Sequence, residues 1–177
     1  KSPSFESIVG SGPNSAMPHY TAGDRVVNTG DSIVIDFGGI HQGYCSDMTR
    51  TVVLGKASEE YKEVYDTVKE AQKRAIEAVR PGVKATEVDY AARSYIAEKG
   101  YGDYFIHRTG HGIGMEVHEE PYISDISSTV LQPGMAFSIE PGIYLPGRFG
   151  VRIEDLVIVT EAGVEVLNKL TKELIEI

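Results

Sequence analysis

A chain of 177 residues with 41% hydrophobic and 24% charged residues is long enough to bury one core and too short for two comfortable domains. Its 17 basic against 26 acidic side chains leave a formal charge of −9, which argues against a protein whose main work is to neutralise nucleic-acid phosphates or an anionic membrane surface. No apolar run approaches the ~20 residues of a bilayer-spanning helix. The single cysteine, Cys45, has no internal disulfide partner, and no basic-then-apolar leader opens the chain, so a reducing, cytoplasmic setting is expected. The chain opens on Lys1 rather than Met, so sequence is expected to precede it.

Residues 1–31 carry turn chemistry (Gly10, Gly12-Pro13-Asn14-Ser15, Pro18, Gly23-Asp24, Gly30-Asp31) and read as loops around short strands. Two β-rich runs follow, Ser32 to Phe37 and Tyr44 to Val53, joined by Gly39-Ile40-His41-Gln42-Gly43 in a hairpin pattern. After Gly55 the apolar period lengthens from two to roughly 3.6 residues. Tyr61, Val64, Tyr65, Val68, Ala71, Ala75, Ile76 and Val79 then make a helical stripe, with Ser58 as N-cap and Pro81-Gly82 as stop. A second helix is predicted behind a Thr86 cap, with Val88, Ala91, Ala92, Tyr95 and Ile96 as its stripe and Gly100 as its left-handed end. From Tyr101 onward, segments 103–108, 135–145, 150–160 and 164–169 read as strands of a largely antiparallel sheet. Strands, two consecutive helices, then strands predict an α+β layer with the helices on one sheet face.

The acid surplus is either solubilising surface or is gathered around something positive. If His41-Gln42 is a two-residue turn, Asp36 opposes Asp47 across the first hairpin, and two carboxylates with Cβ atoms about 5 Å apart repel each other. Asp is also a poor strand residue, so Asp36 in the middle of Ile33-Val34-Ile35-Asp36-Phe37 calls for a compensating charge. A last hairpin centred on Gly147 pairs residues summing to 294, which sets Glu140 opposite Glu154. Four gathered acids without cations would leave at least some with raised pKa values, and divalent metals remove the conflict. Two ions held roughly 3.5–4 Å apart by shared carboxylates form the geometry that activates one water for hydrolysis. The nitrogen ligand is sought in His107-Arg108-Thr109-Gly110-His111-Gly112-Ile113-Gly114, where His111 lies between glycines that permit close approach.

These residues resemble the pita-bread metallopeptidases, the family of methionine aminopeptidase, Xaa-Pro aminopeptidase and prolidase. The motifs that carry the resemblance are Asp36-Phe37-Gly38, Ser46-Asp47-Met48-Thr49-Arg50-Thr51, the run from His107 to Glu119, Ser138-Ile139-Glu140-Pro141-Gly142 and Gly150-Val151-Arg152-Ile153-Glu154-Asp155, in the family's order. The resemblance covers nearly the whole chain. It implies an α+β pita-bread fold in which residues 1–177 are a metallopeptidase catalytic domain lacking its N-terminal part. The family builds this domain from two pseudo-symmetric halves, and only one helix pair is visible here.

The resemblance further implies that Asp36, Asp47, His111, Glu140 and Glu154 ligate two divalent ions, with Asp47 and Glu154 bridging. Oxygen-rich ligands suit manganese, cobalt or iron, and zinc would also be accepted. Glu140 is implied as proton shuttle as well as ligand, His118 and His19 as substrate-side catalytic histidines, and His107 and Arg152 as further substrate-pocket residues. Arg152 has three readings: orienting the ligands, receiving a substrate carboxylate, or forming a structural ion pair. Thr49-Arg50-Thr51 and Asp155 after the last glutamate resemble the proline-specific branch, where methionine aminopeptidases commonly carry a histidine in the position of Asp155. The expected activity is hydrolysis of the bond preceding proline in an Xaa-Pro peptide, as dipeptidase or aminopeptidase, by a homodimer of the full-length form. The alternatives are a methionine aminopeptidase, a non-catalytic peptide-binding module of the same fold, and a metal-free hydrolase of the creatinase type, all without nucleic-acid or membrane partners.

Overall fold

The turn residues of the first segment leave little regular structure there. In the computed structural model, which describes residues 2–177, β1 (Ile8–Ser11) and a 3₁₀ turn (Gly12–Ala16) precede a loop that runs to β2 (Ser32–Phe37), whose bounds match the predicted run. The second predicted run divides into β4 (Tyr44–Cys45) and β5 (Met48–Val53), leaving Ser46 and Asp47 outside both, while β3 (Ile40–His41) pairs with β4. The turn between β3 and β4 falls on Gln42 and Gly43, with φ of 50° and 88°. Two successive positive φ values are what a tight hairpin turn requires, and glycine meets that need at the second position, so the turn sits one residue later than expected. The shift carries through the ladder. Asp36 opposes Thr49, not Asp47, and Asp47 lies just beyond the last pair, Phe37 with Met48. The predicted direct opposition of the two aspartates is therefore corrected to a diagonal one.

The order β1-β2-β5-β13, with β13 (Ile175–Glu176) running parallel to β5, makes one sheet. The second is antiparallel: β12 (Gly163–Val166), β11 (Asp155–Thr160), β8 (Ala136–Ile139), β6 (Gly110–Gly112) and β7 (Glu119–Ile123), in that order. Between β8 and β11 in the chain lies a separate hairpin of β9 (Gly142–Leu145) and β10 (Phe149–Arg152). Polar side chains tie this hairpin to the first sheet. Ser32 Oγ donates to the Gly150 carbonyl at 2.7 Å, and Thr51 Oγ1 donates to the Arg152 carbonyl at 2.7 Å while accepting the Arg152 amide at 3.0 Å.

Helix α1 spans Glu59–Ala78, capped as predicted by Ser58 Oγ, which accepts the Tyr61 amide at 3.2 Å. Helix α2 spans Ala85–Glu98, so Thr86 lies inside it and Lys84 is the N-cap residue; Glu87 reaches back to accept the Lys84 amide at 3.2 Å. Gly100, at φ 85°, closes α2. Tyr61, Val64, Tyr65, Val68, Ala71 and Ala75 of α1 and Val88, Ala92 and Ile96 of α2 join one core with Phe137, Ile139, Ile143, Val151 and Val157 of the strands and with Ile153 between β10 and β11. Segment 103–108 is not a strand. A 3₁₀ turn (Gly102–Tyr104) opens it, and Arg93 takes the carbonyls of Phe105 and His107 at 3.1 and 2.9 Å, occupying groups that a ladder would need. Among the described residues no helix is long and apolar enough to cross a membrane.

Candidate metal centre

The register of the last hairpin explains how two glutamates reach one place. Pairs sum to 294 in β9 with β10, as in Arg152 with Gly142, and again where β8 meets β11, as in Asp155 with Ile139. Glu140 and Glu154 sum to the same value, yet both fall in the break between these two ladders. Their amides bond sideways instead. The Glu140 N–H donates to the Thr109 carbonyl at 2.8 Å and the Glu154 N–H to the Thr49 carbonyl at 3.1 Å. The break joins the two sheets, and the two side chains stay matched at the join.

Asp36 on β2, Asp47 between β4 and β5, His111 on β6 and Glu154 are all buried, at 8%, 5%, 4% and 1% exposure. Asp47, His111 and Glu154 each offer a ligand atom, and these atoms lie within 4.8 Å of one another. His111 Nε2 is 3.2 Å from Glu140 Oε1 and 3.8 Å from Asp47 Oδ2. The other ring nitrogen, Nδ1, faces the Gly112 carbonyl at 3.1 Å, which can only accept; Nδ1 therefore carries the proton in the neutral ring and Nε2 is left with its lone pair.

The carboxylates test whether metal fits. Asp36 Oδ1, Asp47 Oδ1 and Glu154 Oε1 are buried and have no hydrogen-bond partner. Their opposite oxygens are held in two cases: Arg152 Nη2 donates to Asp36 Oδ2 at 2.7 Å, and Thr49 Oγ1 to Glu154 Oε2 at 2.7 Å. Buried carboxylate oxygens without donors are costly, and three of them on acids that line one cavity with an imidazole fit hard divalent cations. The protonation of the metal-free site follows from the same crowding. Burial, with the neighbouring charges of Asp36 and Glu140, pushes Asp47 up to about 8. Burial likewise raises Glu154 well above the usual range, aided by Glu140 and Asp47. Burial would raise Glu140 too, but without metal the His111 pKa is itself raised by Glu140, and the hydrogen bond and charge of the ring protonated at Nε2 outweigh burial and hold Glu140 at about 2.

A cavity of about 560 Å³ opens over these side chains and is lined by all nine residues singled out in the sequence: Asp36, Asp47, His111, Glu140, Glu154, His19, His107, His118 and Arg152. Phe5, Ile8, Tyr20 and Val117 add apolar wall. His19 and His118 are exposed, and the His118 ring meets His111 edge to face at 4.3 Å between centroids. Partial burial, then the charges of His111 and Arg108, lower the His118 pKa, so its ring is neutral at pH 7. Both nitrogens of His107 are taken: Nδ1 faces the Arg108 carbonyl at 2.7 Å and Nε2 the Tyr144 hydroxyl at 2.8 Å. The Arg152 guanidinium forms a buried ion pair with Asp36. Besides Asp36 it donates to Thr49 Oγ1, the Pro18 carbonyl and the Tyr144 hydroxyl at 3.1, 3.1 and 2.9 Å. Cys45 points to the Met115 carbonyl at 3.6 Å and does not line the cavity.

Sequence reasoning missed Tyr144, Thr49 and Ser138. Two had a legible signal: Thr49 lies two residues after Asp47 and Ser138 two before Glu140, the spacing that puts strand residues on one face.

Comparison with known proteins finds relatives along nearly the whole chain. The Xaa-Pro dipeptidase of Pyrococcus furiosus is 52% identical over 173 residues, which cover 98% of this chain and 50% of that protein. The crystal structure of a recombinant prolidase from Thermococcus sibiricus superposes with a TM-score of 0.98 at 53% identity, covering 99% of this chain and 48% of that one. The X-Pro aminopeptidase from Thermotoga maritima superposes with a TM-score of 0.97 at 47% identity, covering 100% of this chain and 50% of that one. The chain thus spans about half the length of the relatives it matches, and its architecture is the pita-bread fold expected from its motifs. With residues 1–161 matched by the family model as well, the chain belongs to metallopeptidase family M24.

Proposed function

We propose that the protein carrying this chain hydrolyses the peptide bond preceding proline in Xaa-Pro peptides, using two divalent ions held by Asp36, Asp47, His111, Glu140 and Glu154. The observation that carries the reading is the set of three buried, unpartnered carboxylate oxygens on Asp36, Asp47 and Glu154, three acids that line one cavity with His111. The similarity to an Xaa-Pro dipeptidase, a prolidase and an X-Pro aminopeptidase supports the proline-directed substrate. Residues 1–177 would form part of the catalytic domain of a longer protein, working as a homodimer. Manganese and cobalt are the first metals to test, with iron and zinc next.

When bound, the ions supply an acidified water and polarise the scissile carbonyl. The chain supplies orientation and proton transfer. Arg152 fixes Asp36 through Oδ2 and Thr49 fixes Glu154 through Oε2, so each acid presents its other oxygen inward. Glu140 takes the proton of the attacking water on its carboxylate and passes it to the leaving nitrogen. His118 and His19, facing the same cavity, donate N–H groups to the substrate carbonyl as negative charge develops on it. His107, with both nitrogens occupied, contributes to the pocket through its ring edge and its hold on Tyr144.

The test is hydrolysis of an Xaa-Pro dipeptide beside an Xaa-Pro-Xaa tripeptide, with manganese or cobalt added. Cleavage of either supports the proposal and separates dipeptidase from aminopeptidase. Failure on both, with cleavage of a Met-led peptide, would replace it with a methionine aminopeptidase.

A further inference from the structure

Two hydroxyls lie against the two glutamates, and neither is exposed: Thr49 and Ser138 are both fully buried. Thr49 Oγ1 is 2.7 Å from Glu154 Oε2, and Ser138 Oγ is 2.9 Å from Glu140 Oε1. A hydroxyl has one proton to give, and the direction in which it gives is fixed by its other neighbour. For Thr49 that neighbour is Arg152 Nε, a pure donor at 3.1 Å; for Ser138 it is the backbone N–H of His111, also a pure donor, at 3.0 Å. Each oxygen therefore accepts from one side and must donate toward its glutamate.

The two contacts are built alike from different strands. Thr49 on β5 links Arg152 at the end of β10 to Glu154, and Ser138 on β8 links His111 on β6 to Glu140. Each glutamate is thus held by one oxygen. For Glu154 the oxygen left over, Oε1, is one of the buried atoms without a partner. Removal of the Thr49 hydroxyl would free Glu154 to rotate and would also strand Arg152 Nε. Loss of Ser138 would unfasten Glu140 from the His111 backbone.

We propose that Thr49 and Ser138 are positioning residues which, by donating to Glu154 Oε2 and Glu140 Oε1, fix which oxygen each glutamate offers to the metal centre. The inference rests on the metal-binding reading given above and adds to it the groups that aim the ligands. Supporting hydroxyls of this kind are worth about 10–100-fold in metal affinity.

The experiment is manganese binding to the metal-stripped full-length protein, titrated calorimetrically, for wild type, Thr49→Val, Thr49→Ser and Ser138→Ala, with a melting curve of each metal-free form. The expected result is affinity roughly 10–100-fold weaker in Thr49→Val and Ser138→Ala, with Thr49→Ser within about threefold of wild type. Wild-type affinity in Thr49→Val and Ser138→Ala would overturn the inference. Equal losses in Thr49→Val and Thr49→Ser would also overturn it for Thr49, because packing rather than the hydroxyl would then be responsible. A wild-type protein that takes up no manganese or cobalt would instead refute the metal-binding reading itself.

Discussion

Behind the candidate centre sits a charge whose partner should be indispensable. Arg50 is 4% exposed and Asp155 1%, and Arg50 Nη2 donates to Asp155 Oδ1 at 2.6 Å. Asp155 Oδ2 also accepts from Gln72 of α1 at 3.0 Å and pairs with Lys172 at 2.9 Å, so the carboxylate joins the second sheet, the first helix and the C-terminal segment. Asp155→Ala leaves a buried guanidinium without counter-charge, a change that costs about 3–5 kcal/mol. Arg50 keeps hydrogen bonds to the carbonyls of Thr49, Glu154, Leu170 and Thr171, which favours the lower end, about 3 kcal/mol. At roughly 2–4 °C per kcal/mol the melting temperature should fall by about 6–12 °C. Scanning calorimetry of the metal-free protein measures this directly. An Arg50→Met, Asp155→Leu double variant should recover much of the loss, since replacing both charges removes the unpaired ion. A fall of less than about 2 °C for Asp155→Ala would refute the reasoning, because the guanidinium would then not depend on its carboxylate.

Glu140→Ala should cut kcat on an Xaa-Pro dipeptide by roughly 10²–10⁴-fold in steady-state assays, and wild-type turnover would refute the two-metal assignment. In metal-free protein Asp47 titrates near 8 and Glu154 is also raised, so both bind protons that the unfolded chain has released. The stability they confer is present at low pH and is lost as pH rises through the folded pKa values: metal-free melting temperature should drop between about pH 5 and 8. Metal-loaded protein should show no such drop, and calorimetry in buffers of different ionisation enthalpy should detect proton release on metal uptake. Gly110→Ala should disrupt the centre, because a Cβ there would lie 1.8 Å from the Ser138 carbonyl oxygen and would force β6 away from β8. Its readout is lost manganese binding with the melting temperature lowered.

The helices and the last hairpin were legible because their signals are local. Ser58, Pro81-Gly82 and the apolar stripe bound α1 within a residue or two, and a turn centred on Gly147 fixed the register that matches Glu140 with Glu154. The first hairpin was misread by one turn residue, since His41-Gln42 and Gln42-Gly43 both suit a two-residue turn until the need for positive φ at both positions is applied. What the sequence hid is non-local. Segment 103–108 has strand composition, but Arg93, from the preceding helix, claims its carbonyls. β6 is three residues long and two of them are glycine, too short for any periodicity to mark it, although it carries His111. The nine site residues were found as chemical types in ordered motifs, whereas the hydroxyls and Tyr144 that hold them emerged only once the sheets were joined.

The chain's negative charge is thus partly turned inward, onto four carboxylates that line one cavity with His111. Hydrolysis of an Xaa-Pro dipeptide by the metal-stripped full-length protein, before and after addition of manganese or cobalt, tests that account most directly. The account predicts no turnover without metal and restored turnover with about two ions bound per chain. Full activity after stripping, or none after reloading despite an intact fold, would contradict it.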